Sequence, residues 1–167
     1  AEQSSGIKIK SLYVGVPAEF CFVACKEASI GFNKRHRIND SDLDRLYGAC
    51  TFPEYDNEYS VINVQPVNFT VDGSRKLMVP VGQYGVQLSG YLSNVFAEKK
   101  FIGTFDRIIS DLGIEEVDYI SAALAEYLLL FPEKKRDEGV IFADVGYIST
   151  ALCIGQGDGL LDMKSFS

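Results

Sequence analysis

Apolar and polar positions alternate along Ile7-Lys-Ile-Lys-Ser-Leu-Tyr-Val-Gly-Val16, with Leu12, Val14 and Val16 on one face, the period of a half-buried strand. Residues 20–24 continue in extended style, and Lys34-Arg-His-Arg37 reads as a basic turn. Asn39-Asp-Ser-Asp42 supplies capping side chains ahead of Leu43, Leu46 and Tyr47, whose i, i+3, i+4 spacing predicts a short amphipathic helix. Within Tyr59–Val71, Ile62 and Val64 hold one phase of alternation and Val67, Phe69 and Val71 the other, with Pro66 at the change. A one-residue slip exchanges buried and exposed faces, so a bulge or bend is expected at Gln65-Pro66. Asp72-Gly73 marks a turn. Residues 86–97 alternate again, with Val86, Leu88, Leu92 and Phe96 on the face expected to be buried and mostly polar residues opposite.

The period then becomes helical. Phe101, Phe105, Ile108, Ile109 and Leu112 fall at i, i+4, i+7, i+8 and i+11, and Gly113 stands where a C-terminal cap belongs. Residues 117–120 fit a short strand, residues 122–131 a helix stopped by Pro132, and residues 133–138 a charged run. Residues 140–143 read as a fully buried strand leading into Asp144-Val-Gly. Residues 149–154 and 160–166 form a hairpin around a glycine-rich turn. The expected order is β-β-α-β-β-α-β-α-β-β, an α+β or α/β mixture.

Composition narrows the function. The 167 residues, 47% hydrophobic and 23% charged, are one domain's worth of ordinary globular chain. A chain this long buries about 68–70% of its extended surface. Sixteen Lys+Arg against 23 Asp+Glu leave a net charge of −7, which repels phosphate backbones and argues against a nucleic-acid partner. No apolar run reaches the length of a membrane-spanning helix, and no signal-peptide pattern opens the sequence. Cys21, Cys25, Cys50 and Cys153 contain no Cys-x-x-Cys pair, so they read as reduced core thiols of a cytosolic protein. The sequence opens without Met and closes at Ser167 straight after a strand-like segment, so an excised piece of a longer protein is expected.

Most candidate chemistry dissolves on inspection. The single histidine, His36, sits among cations in a solvated turn and is no general base. Asp40, Asp42 and Asp44 lack the glycine and glutamate of a calcium loop and are better read as capping groups. The sequon Asn68-Phe-Thr70 lies in a strand and carries no meaning of its own. One arrangement remains: a strand delivers Asp144 to its end and Gly146 begins a tight hairpin. A nucleotide phosphate could be held there by backbone N–H groups, with the carboxylate on a metal-bound water, although an ordinary turn is the commoner meaning of Asp-x-Gly.

Several stretches together resemble the FtsA family of bacterial cell-division proteins, relatives of the actin-like ATPases. They are Pro66-Val-Asn-Phe-Thr-Val-Asp-Gly73, Pro80-Val-Gly-Gln-Tyr-Gly-Val-Gln-Leu88, the opening strand at residues 7–16, and Asp111-Leu-Gly-Ile-Glu-Glu-Val-Asp-Tyr-Ile120. The resemblance implies an α+β fold: an SHS2 module, a three-stranded antiparallel sheet backed by helices, attached to part of an actin-like (ribonuclease H-like) domain. Residues 1–113 would be that module, also called 1C, with the end of a preceding helix. Residues 114–139 would return to domain 1A, and residues 140–167 would be the first hairpin of domain 2A.

The resemblance also implies a role. The chain would be part of a divisome scaffold acting through protein–protein contacts, and its parent would link FtsZ filaments to the membrane at the cytoplasmic face or the septum. Its partners would be other divisome proteins, FtsZ through the parent, and further copies of itself. Membrane contact would come only from a segment absent here. Asp144, Gly146, Ser149 and Thr150 would be the second phosphate loop. Tyr147 and Ile148 replace its small residues and Ala151 its later aspartate, so the loop reads as degenerate. A β-branched residue forced to positive φ would cost on the order of 1–2 kcal/mol, and Tyr147 would crowd a phosphate. No cofactor is expected in this chain, with ATP and magnesium confined to the parent. The alternatives are a piece of an actin-like or Hsp70-like ATPase, or of a PilM-like pilus-assembly protein.

Overall fold

The structure, a computed structural model, describes Ser4 and residues 6–55 and 57–167. Apart from Ser4, the end of a preceding helix expected at the start lies outside the described residues. In chain order the elements are β1 (Ser11–Val16), a 3-10 turn (Ala18–Phe20), β2 (Cys21–Arg37), α1 (Asp40–Ala49), a second 3-10 turn (Pro53–Tyr55), β3 (Tyr59–Val71), β4 (Tyr84–Glu98), α2 (Lys99–Asp111), β5 (Glu116–Ser121), α3 (Ala122–Leu130), α4 (Glu133–Glu138), β6 (Val140–Val145), β7 (Thr150–Gln156) and β8 (Gly159–Phe166). The fold is α+β. An antiparallel sheet in the order β2-β4-β3 forms its centre, β1 and β5 make a parallel pair, and β6-β7-β8 form a second antiparallel sheet.

The helix over the central sheet follows from spacing. Leu46 points from α1 into a cluster with Ala28, Ile38, Phe69, Val71, Leu88 and Leu92, all buried. Each such side chain contributes about 1.5–3 kcal/mol when removed from water. The opposite face of β4 departs from the expectation that it is polar and open: Ser93, Val95 and Ala97 are buried there. The β6-β7-β8 sheet and α3 cover that side, packing Leu124, Tyr127, Cys153, Leu160 and Met163 against Val95. The Ser93 hydroxyl donates to the Leu160 carbonyl at 2.5 Å.

Four other expectations change. Residues 34–37 are not a turn: β2 runs through Arg37 because Arg37 pairs with Tyr84 and His36 with Gly85, after a register shift beyond Gly31. β3 has the bulge expected beside Pro66, where Val67 is the extra residue, and another at Ile62 that alternation did not indicate. The α2 stripe is half-covered: Ile109 is buried, but Leu112 is 69% exposed. The segment read as fully buried, residues 140–143, is the outer strand β6, and Ile141 faces solvent.

The bulge at Val67 matters for assembly. The β7–β8 turn reaches it, so that the Asp158 N–H donates to the Pro66 carbonyl at 3.0 Å. Gly157 takes φ +59°, and a Cβ there would stand 2.3 Å from the Val67 oxygen, so no side chain fits. Tyr127 Oη donates to the Gly157 carbonyl at 3.0 Å, and Arg136 Nη2 lies 2.6 Å from Asp158 Oδ1. Removing the buried contact of Leu46 by Leu46→Ala is expected to cost about 2–5 kcal/mol, whereas Leu112→Ala should change stability by no more than about 0.5 kcal/mol. Urea denaturation of both variants checks this, and equal losses would mean that α1 and α2 are packed alike.

Candidate functional site

Two regions carry candidate chemistry. The first is the loop between β6 and β7. Asp144 pairs with Ala151 and Val145 with Thr150, and the Gly146 N–H donates to the Ser149 carbonyl at 2.9 Å, leaving Tyr147 and Ile148 at the tip of the hairpin. The structure therefore brings Asp144, Gly146, Ser149 and Thr150 together at one end of the sheet. The cost expected for Ile148 does not arise, because among the described residues Asp72 is the non-glycine with positive φ. Nor does Tyr147 crowd the loop; its ring stands wholly in solvent.

The chemistry this loop can perform is limited. Its Gly146 N–H is already committed to Ser149, and the Ser149 hydroxyl donates to the Glu19 carboxylate. That bond holds Glu19 below the usual carboxylate range. Burial first, then the charge of Asp144, pushes Glu126 upward. As folded, these residues do not fit a phosphate cradle, which needs several N–H groups free to converge on one anion.

The second region is the far end of the central sheet, where β2 ends, α1 begins and the β3–β4 connection turns. Lys34, Arg35 and Arg37 are exposed there, and Arg37 pairs with Tyr84, which is exposed like the apolar residues Val79, Val81 and Val86 on either side of it in the chain. Beneath them lies a capping box. Asn39 is the N-cap of α1 and accepts from the Asp42 N–H, while Asp42 Oδ2 accepts from the Asn39 N–H at 3.0 Å. The same oxygen is 2.7 Å from His36 Nε2, and Arg45 lies 3.4 Å from the other oxygen. The His36 ring packs on Phe32 with centroids 4.6 Å apart. Burial works against the charge on Asp42. The Asn39 N–H, His36 and Arg45 outweigh it, and the carboxyl stays below its ordinary value.

Comparison with known proteins places this sheet. Residues 23–96 match a family model described as the SHS2 domain inserted in FtsA, and they span most of β2, all of α1 and β3, and nearly all of β4. These residues form an SHS2 domain of the FtsA type. The cell division protein FtsA of Enterococcus faecalis is 30% identical over 149 residues, covering 87% of this chain and 33% of that protein. FtsA of Enterococcus hirae is 26% identical over 147 residues, with 87% and 33% covered. FtsA of Bacillus subtilis is 23% identical over 165 residues, with 98% and 38% covered. The chain is FtsA-like and spans about a third of the length of these relatives.

In the SHS2 domain, the capping role read from Asn39-Asp-Ser-Asp42 holds. The solvated role given to His36 does not, since its ring bridges β2 to the start of α1. The signal was present in the six-residue spacing from His36 to Asp42, but only pairing of β2 with β4 brings the two side chains together. The Arg136–Asp158 contact was also missed, and no local pattern announces a pair 22 residues apart. Among the described residues no group of His, Cys, Asp and Glu could hold a metal ion, and no helix is long and apolar enough to cross a membrane.

Because the Asp42 carboxyl is depressed in the fold, its stabilisation is fully present above the unfolded value of about 3.9 and is lost as pH falls through the folded value. Asp42→Asn is therefore expected to lower stability near neutral pH by about 0.5–2 kcal/mol and to flatten its acid-side decline. Denaturation measured from pH 2 to 7 tests this; curves running parallel over the whole range would contradict it.

Proposed function

We propose that this chain serves an FtsA-like cell-division scaffold, with the SHS2 domain acting through protein–protein contacts. The observation that carries this reading is the tip of the central sheet. There a basic strand end pairs at Tyr84 with a run that holds three more exposed apolar residues, on a chain whose overall charge is −7. Such a mixture of exposed apolar and basic side chains suits a docking surface. The tip is at the opposite end of the sheet from β1 and α2, where the polypeptide enters and leaves.

One further feature supports the attachment to an actin-like domain. β1 leads into the SHS2 domain and β5 follows it, and the two pair in parallel from Ser11–Glu116 to Val16–Ser121. The segments that flank the domain therefore share one small sheet, as expected of a module inserted in another domain. On this reading residues 114–139 belong to domain 1A and residues 140–167 to the start of domain 2A. The parent links FtsZ filaments to the membrane at the septum and contacts other divisome proteins and its own copies. The matched relatives are cell-division proteins, which favours this over the pilus-assembly reading.

ATP and magnesium, on this reading, belong to the parent. Asp144 and Gly146 keep positions in its second phosphate loop, but the hairpin supplies one half of a cradle. Calorimetric titration of the chain with ATP should give no binding heat; micromolar affinity would overturn that view. The scaffold reading is tested in cells. A full-length parent carrying Lys34→Glu, Arg35→Glu and Arg37→Glu is expected to accumulate normally yet leave cells filamentous. Cells of ordinary length with that variant as sole copy would refute a docking role for the tip.

A further inference from the structure

The same sheet carries a second surface, distinct from the tip. Over its outer half, the face turned away from α1 presents Glu27 from β2, Ser89 and Tyr91 from β4, and Asn68 and Thr70 from β3. The register fixes this, with Glu27 opposite Tyr91, Tyr91 opposite Asn68, and Ser89 opposite Thr70. β8 covers the next row, where Leu160 meets Ser93, and then stops. Beyond it a cleft of about 340 Å³ remains open, with Lys76 on one wall.

Asn68 is the anomaly in that cleft. It is only 9% exposed, yet its side-chain amide makes no hydrogen bond among the described residues. Nearby, Ser29 and Ser89 satisfy each other at 2.7 Å. The Asn68 amide atoms are not sealed off, since among the described residues Asn94 Oδ1 is the buried side-chain atom left without a partner; the Asn68 amide therefore opens into the cleft, free to meet a ligand. Its N–H and C=O lie in one plane and complement the C=O and N–H of another amide.

The walls differ in sign. Glu27 stands on one outer strand, while Lys76 lies beyond the other, where its neighbour Leu77 bridges to Phe69. Neither is in an ion pair among the described residues. Neighbouring strands lie about 4.7–4.9 Å apart, so β2 and β3 are separated across β4 by roughly 10 Å, the span of about three extended residues. An open trough of that width, with a peptide-complementary amide and opposite charges at its ends, fits an extended segment and not an enclosed small molecule.

We infer that this cleft binds an extended peptide of a partner protein, with a backbone amide on Asn68, an acidic residue at Lys76 and a basic residue about three positions away at Glu27. The inference rests on the reading of the SHS2 domain as a protein-contact module and gives one contact its chemistry.

The test is a nuclear magnetic resonance titration of the isotope-labelled chain. The probes are end-blocked hexapeptides containing Lys-Ala-Ala-Asp, the reverse order Asp-Ala-Ala-Lys, and the uncharged Gln-Ala-Ala-Asn. One charged order should shift the Asn68 side-chain amide together with Ser89 and Tyr91, and bind at least tenfold more tightly than the uncharged control. Asn68→Ala should weaken it at least tenfold. Lys76→Glu, an exposed change that spares the core, should do the same, and replacing the peptide's acidic residue with Lys should restore binding. Absence of shifts at the cleft, equal binding of the control, or indifference to both substitutions would overturn the proposal. If the peptides fail while the tip variant still blocks division, the cleft proposal falls alone; if they bind while the tip variant divides normally, the tip is what fails.

Discussion

Burial of β4 on both faces organises this molecule. The middle strand of a three-stranded sheet meets neighbours along both edges, and here it is also covered above and below through residues 92–97. Every side chain there has to be apolar or internally satisfied. Leu92 and Phe96 answer α1 and the aromatic cluster of Phe22, Phe52 and Tyr55; Phe22 stacks on Phe96 with centroids 4.8 Å apart. On the other side, Val95 joins the core beneath the second sheet, while the Ser93 hydroxyl finds a carbonyl on β8. Asn94 is met less fully: its Nδ2 reaches the Cys50 sulfur at 3.5 Å, and its Oδ1 is left without a partner. The departure from strict alternation in this strand follows from that double cover.

Local signals were therefore legible and long-range ones were not. The phase change around Pro66 located a bulge because a slip of one residue moves the entire apolar set across the sheet. The Asn39–Asp42 cap, the positive φ of Gly113 and the break at Pro132 are all written in nearest neighbours. By contrast, Lys34-Arg-His-Arg37 looks like a turn in isolation and becomes a strand only because Tyr84 and Gly85 pair with it. The half-bare face of α2 was likewise invisible, since periodicity tells which residues share a face and not whether anything covers it. The candidate loop was legible as a strand end with a glycine, but its hydrogen bonding depended on which backbone groups the hairpin would claim.

The two candidate regions have opposite characters. The loop after β6 keeps its hydroxyls and carboxylate, yet its Gly146 N–H is spent on the Ser149 carbonyl that closes the hairpin. The surfaces of the SHS2 domain are differentiated: one sheet face is covered by α1, the other is sealed beneath the second sheet over its inner half and is polar and open over its outer half, and the end is basic and apolar. On the proposed reading, the specificity of such surfaces would come from pairing charge and shape together. The capping box under the tip gives that end a fixed geometry, because His36 and Asp42 tie the last residues of β2 to the first turn of α1.

The length of β2 has a mechanical consequence. β2 runs from the 3-10 turn to the tip against residues 97 to 84 of β4, roughly 43 Å at the usual rise, so pivoting the base by about 5° would sweep the tip through roughly 4 Å. The sheet is thus a lever arm: small reorientations where β1 and β5 hold it become displacements large enough to make or break a side-chain contact at its end.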